Sequence, residues 1–222
     1  MRWSRFVGLN PDDAVWMPTV FSKNRDRLSE GQIADAFMAE LLRAGDQRRL
    51  LSHEHFTVDS TLLEVWACHK SGRPKDDPSP SSMGGTKHPA LNVRWEKRSH
   101  ANHQSVFVPE ARIARKSNGR ASILGLLGSV LMDNRHGLIV ATDVRAPGDD
   151  AERDAAVTML RTLPPRQRRC TLGADMGYDS AALVAGARAC GVTPHVAQNI
   201  HARKSMSAID NRTTRHAGYA MS

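Results

Sequence analysis

The sequence predicts an α/β or α+β domain built on a mixed sheet, preceded by a small helical region. Three observations lead there. Apolar residues near the start recur at helical spacing. Apolar runs of strand length flank a hairpin signal in the middle. Closer to the end, a strand, a helix and a second strand follow one another as a β-α-β unit.

Residues 1–54 read as helical after an irregular start, in which Pro11-Asp12-Asp13 and Met17-Pro18-Thr19 are turn or cap chemistry. Ser29-Glu30-Gly31-Gln32 has the spacing of a capping box. Behind it Ile33, Phe37 and Leu41, with Met38 and Leu42, make one apolar helix face running to about Leu51. Residues 55–222 read as a second body. A strand over about 55–59 closes on Asp59, and Thr61 with Glu64 predicts a short helix after it. Glycines, prolines and serines crowd residues 70–90 and predict a loop excursion. Val106-Phe107-Val108 and Leu126 to Met132 predict strands. Asp133 to Gly137 predicts the hairpin loop, and Leu138 to Thr142 the returning strand. Asp149 and Asp150 open a helix through Ala155, Met159 and Leu160, which Pro164-Pro165 stops. A strand at 170–175, a helix at about 180–190 and a strand at 192–197 follow. The segment from Asn199 onward is basic and polar.

A formal net charge of +8 over 222 residues points to a polyanionic partner. Cys68, Cys170 and Cys190 form no C-x-x-C pair, which argues against a disulfide framework or cysteine zinc site and fits a reducing cytoplasm. The first residues carry no apolar signal region, and the stretch from Ile123 to Met132 is about half what a membrane helix needs, so no membrane partner is expected. His53-Glu54-His55 and His100-Ala101-Asn102-His103 lack the partners of a recognised zinc arrangement. Neither a phosphate-cradling glycine loop nor a nucleophile elbow is present.

Asp59 and Asp175 are the candidate site. Each closes an apolar strand, and in open sheets sites gather at strand carboxyl ends. Either alone reads as a turn or cap residue. Together they would repel each other unless a cation lies between them. Carboxylate pairs suit hard divalent ions, and two such ions can cut or join phosphodiesters. Lys97, Arg98, Arg112, Arg115 and Lys116 lie in the strongest basic patch, and Arg203, Lys204, Arg212 and Arg215 extend it in the tail. Such residues suit phosphate-backbone contact; the plainer reading is a solvated face.

Phe56-Thr57-Val58-Asp59-Ser60-Thr61-Leu62-Leu63-Glu64 resembles the first-aspartate block of bacterial insertion-sequence transposases, the DDE class related to insertion sequence five. Leu172-Gly173-Ala174-Asp175-Met176-Gly177-Tyr178-Asp179 resembles the second-aspartate block, and Arg212 to Tyr219 a segment further downstream. The resemblance runs in order over nearly the whole chain. It implies a ribonuclease-H-like mixed sheet with flanking helices. It also implies two Mg²⁺ ions held by Asp59 and Asp175, double-stranded DNA as partner (transposon ends and target), and a homodimer. The family's third acid is a glutamate on a helix beyond the Arg-His-x-Gly-Tyr segment, and no acid follows Tyr219 here. The start likewise resembles the interior of the family's helical region. The resulting expectation is a copy truncated at both ends, lacking its glutamate-bearing helix, inactive and poorly soluble. The alternatives are a non-catalytic DNA-binding protein or regulator of an intact transposase, and a nuclease using Glu64 or Asp179 as third acid.

Overall fold

Strand β1 (His55–Glu64) is the axis of the larger of two compact units. The computed structural model describes residues 17–65, 72–74, 103–105, 108–116, 119–164, 169–199 and 207–221. Phe56 and Val58 of β1 are buried while Asp59 is exposed, the alternation a pleated strand imposes. The strand does not stop at Asp59. It continues to Glu64, paired antiparallel with β5 (Ile123–Asp133) from Phe56 opposite Asp133 to Glu64 opposite Gly125. The helix predicted from Thr61 and Glu64 therefore does not form. Its place is taken by a ladder that β5 makes possible: a Cβ at Gly125 would lie 2.5 Å from the Leu63 carbonyl oxygen, so only glycine lets the strands approach there.

The sheet has six strands. Its main path runs from β4 (Arg112–Ala114) through β5 and β1 to β7 (Cys170–Ala174) and β8 (Val192–Val196). β6 (Leu138–Arg145) also pairs with β5, so β4 and β6 divide the outer edge of that strand between them. β1, β7 and β8 are parallel, and the other pairings are antiparallel. The β5–β6 turn at Asp133–Gly137 is the predicted hairpin, with Gly137 at φ +70. Asp133 is fully buried there. Its carboxylate accepts from the backbone N–H groups of Ser52, His53 and Arg135, which bind the chain ahead of β1 to the hairpin. β2 (Gly72–Pro74) and β3 (His103–Ser105) form a separate antiparallel pair, the first inside the stretch predicted as loop. The expected strand residues Val106 and Phe107 lie outside the described residues.

Two helices cover the sheet. In α3 (Ala151–Thr162), Ala155, Ala156, Met159 and Leu160 are buried, and in α4 (Ala181–Ala189), Leu183, Val184 and Ala187 are. They form one core with Phe56, Val58, Leu131, Leu172 and Val196 of the sheet. Each large side chain so buried contributes about 1.5–3 kcal/mol before chain entropy is counted. α3 ends where predicted: Leu163 is extended ahead of Pro164, as the residue before proline must be. This is the mixed α/β sheet with flanking helices that the ribonuclease-H-like expectation required.

The smaller unit spans Met1–Leu50 and contains α1 (Pro18–Glu30) and α2 (Ile33–Gln47). Ser29 and Glu30 close α1 and Gly31-Gln32 is the turn between the helices, with Gln32 left-handed at φ 50 and no side-chain cap, so the capping box does not form. α1 leaves the apolar residues Ile33, Phe37 and Leu41 exposed. Among the described residues no helix is long and apolar enough to cross a membrane.

Candidate active site

The parallel register sets His55 opposite Thr171, Phe56 opposite Leu172 and Thr57 opposite Gly173. The ladder ends there: Asp59 lies two residues beyond Thr57 on β1, Asp175 two residues beyond Gly173 and just past β7, and the charges of both act on Glu152 and on Tyr178. Both residues are exposed. Asp59 is mid-strand, not at a strand end, while Asp175 directly follows β7 in extended backbone and caps the 3₁₀ turn Met176–Tyr178. One oxygen of Asp59 accepts from the N–H of Ser60 at 2.7 Å, and one oxygen of Asp175 from that of Gly177 at 2.9 Å. No described residue bonds the second oxygen of either carboxylate.

The pair stands on a rigid base. The Ser60 hydroxyl is hydrogen-bonded to Ser129 at 2.7 Å and to the Tyr178 hydroxyl at 2.9 Å, tying β1, β5 and the turn after β7 together. Tyr178 is buried, and that burial pushes its phenol up to about 12, with Glu152 and both aspartates adding to the rise. It is therefore a neutral pin at physiological pH. From the first turn of α3, Arg153 donates to the Gly177 carbonyl at 3.1 Å and so holds the Asp175 turn from its other side.

Glu152 was not singled out in the sequence. It is exposed on the first turn of α3, and partial desolvation of its carboxyl, then the charges of Asp175 and Asp59, raise its pKa. Only folding brings that acid within electrostatic reach of the pair. Its one signal was a place just after Asp149-Asp150, which read as plain helix-start chemistry.

Of the two acids expected as alternative third ligands, Glu64 is distant along β1 and Asp179 is engaged in holding the chain. Glu64 ends β1, five residues beyond Asp59, or about 16 Å along a strand. Both oxygens of Asp179 are engaged, by the N–H groups of Asn199 at 2.7 Å and Ala208 at 2.9 Å. Ser180 caps α4. Among the described residues, no group of three or more His, Cys, Asp or Glu could hold a metal ion. Asp210 caps α5 (Asn211–Thr214).

The described basic residues fall in two groups. Lys97, Arg98, Arg203 and Lys204 lie outside the described residues. Arg112 is on β4, with Arg115 and Lys116 just after it, at one side of the sheet. Arg112 donates to the Pro109 and Ala111 carbonyls, and Arg115 to the Ser122 hydroxyl. Arg212 and Arg215 are on or beside α5, which packs against β8 at the opposite edge.

A solved structure similar to this chain is the "Crystal structure of the Mos1 Strand Transfer Complex", at 12% identity and a TM-score of 0.30, covering 86% of this chain and 47% of that one. This chain thus spans about half the length of the chain it matches. No curated protein matches it. Residues 52–219, the region that contains both aspartates and their supports, match the Transposase DDE domain family. The chain belongs to the Transposase DDE domain family.

Proposed function

We propose that this chain is an insertion-sequence DNA transposase whose phosphodiester chemistry centres on Asp59 and Asp175. The placement of two exposed carboxylates, one on β1 and one just past the end of its parallel neighbour β7, each with an oxygen that no described residue bonds, supports the reading most directly. Their donor chemistry fits Mg²⁺, which commonly takes one or two carboxylates and completes its shell with water and substrate phosphates. When bound, a pair of such ions would activate the attacking oxygen and stabilise the leaving one. The chain's own part is to fix the carboxylates. Tyr178 and Ser60 lock the β1 side, and Arg153 and the Gly177 N–H fix the Asp175 side. Arg112, Arg115, Lys116, Arg212 and Arg215 would contact the phosphates of double-stranded DNA, and the family reading adds a homodimer.

Two carboxylates hold divalent ions weakly, so strand transfer by this chain alone is expected to be slow or absent. The lack of a three-acid group among the described residues also supports a second reading, a non-catalytic DNA-binding regulator. One experiment separates the two. Mn²⁺ binding and duplex affinity are measured for the wild type and for Asp59→Asn with Asp175→Asn. The transposase reading expects at least a tenfold loss of Mn²⁺ affinity with DNA affinity within about twofold. Mn²⁺ binding that the double variant leaves intact would sink it and favour the regulator.

A further inference from the structure

At the end of the sheet opposite Asp175 lies a cleft of about 350 Å³. Its walls come from three separate parts of the chain. Arg169 stands immediately before β7, Arg188 is in the last turn of α4, and Arg212, Thr213 and His216 come from α5 and the residues after it. Gly191, left-handed at φ +74 before β8, forms part of the rim, where a side chain would meet nothing within 4 Å.

The cations are oriented in advance. Arg188 donates to Asp210 at 2.7 Å and to the hydroxyl of the fully buried Thr213 at 3.3 Å. Arg212 donates to the other Asp210 oxygen at 3.1 Å. These two arginines hold the Asp210 carboxyl down to about 2, so it stays ionised and keeps both guanidiniums in place. Arg169 is exposed and has no acidic partner among the described residues. Three guanidiniums against one carboxylate leave an excess of two positive charges around the cleft. The carbonyl end of α4 opposes that excess with only about half a charge.

We propose that this cleft is a second DNA contact that holds a backbone phosphate well away from the acid pair. It rests on the DNA-transposase reading and adds to it. A guanidinium fork matches phosphate oxygens in pairs, and Arg188, already fixed by Asp210 and Thr213, loses little freedom on binding one. The six residue steps along β7 put about 20 Å between Arg169 and Asp175. A phosphate in the cleft is thus not the one being cut. It belongs to another part of the duplex or to a second duplex, and its binding positions DNA without chemistry. The plainer reading makes Arg188, Asp210 and Arg212 an ion-pair lock that fixes α5, and gives Arg169 no task.

The test measures duplex DNA affinity of the 222-residue protein against salt concentration, for wild type, R169Q and R169Q with R212Q. Arg188 is left alone because it braces α5. Losing one phosphate contact lowers the slope of log K against log salt by about 0.9, or about eightfold in affinity at 0.1 M salt relative to 1 M. The double variant should show that loss, and R169Q alone part of it. Should R212Q prevent folding, R169Q carries the test. Unchanged slope and affinity would overturn the proposal while leaving the transposase reading standing. Wild-type protein that fails to bind duplex at low salt would overturn both. Inorganic phosphate that binds wild type but not R169Q, with duplex affinity unaffected, would overturn the DNA contact in favour of a small-anion site.

Discussion

His195 shows how much one buried side chain can decide. Only 4% exposed, it places Nε2 2.9 Å from Nδ1 of His216, with the Tyr219 ring edge-on at 5.6 Å and the His55 ring at 6.0 Å. Burial first, then the neighbouring His216 and His55, push its pKa from 6.5 down to about 4. The sign follows directly. Between those two values the unfolded chain takes up a proton that the folded one refuses, so stability falls as pH drops from about 6.5 to about 4. The full loss is about 3 kcal/mol. His55, lowered by its own burial, acts in the same direction. Asp210 works in a different window, since its depressed carboxyl withdraws stability only as pH falls below its ordinary 3.8. Urea midpoints between pH 7.5 and 4.5 should therefore decline for wild type and decline less for His195→Phe. A flat wild-type profile would refute the assignment. The strand bearing His195 could be read from its apolar run; the burial of the ring could not, because His216 and Tyr219 reach it only through the tertiary fold.

Local chemistry decided some elements and sheet partners decided others. The hairpin at Asp133–Gly137 and the end of α3 before Pro164 are set by the conformational limits of glycine and proline, which act within a few residues. The second half of β1 is set by β5: Thr61 and Glu64 have the spacing of a helix start, yet Gly125 makes room for a strand. Asp59 and Asp175 were legible as two acids near strand ends, but it is the parallel β1–β7 pairing that brings their two segments side by side. The contribution of α3 was not legible at all, because Arg153 meets Gly177 across the fold. Arg153 donates to the Asp149 carbonyl at 2.7 Å, to the Asp150 carboxylate at 2.6 Å and to Gly177 at 3.1 Å. Arg153→Ala should cost about 1 kcal/mol of stability, since these bonds are partly solvated. It should weaken Mn²⁺ binding several-fold by loosening the Asp175 turn. Thermal melts alongside Mn²⁺ titration check this. A large loss of stability with metal affinity untouched would make Arg153 a strut of the fold and nothing more.

At the scale of the whole molecule, the sequence reveals the total charge but not its division. A net +8 points to a polyanionic partner, and the described cations stand in two groups, Arg115 and Lys116 beside β4 and Arg169 and Arg212 beside β7 and β8. Four strand intervals separate β4 from β8 along the sheet order, about 19 Å at 4.8 Å each. That exceeds the Debye length of about 10 Å at 0.1 M salt, so the two groups barely sense each other through solvent. Charges that far apart, with no shared partner, should act independently on a common ligand. Arg115→Gln with Lys116→Gln should therefore reduce duplex affinity by some factor, Arg169→Gln with Arg212→Gln by another, and the fourfold variant by their product. Fluorescence anisotropy at 0.1 M salt measures all four proteins on one duplex. A fourfold variant no weaker than the worse pair would mean that both groups hold the same phosphates, which the sheet order forbids for a single contact. Agreement with the product, together with a salt slope that falls by the sum of the two separate changes, would mean that DNA is held on both sides of the acid pair.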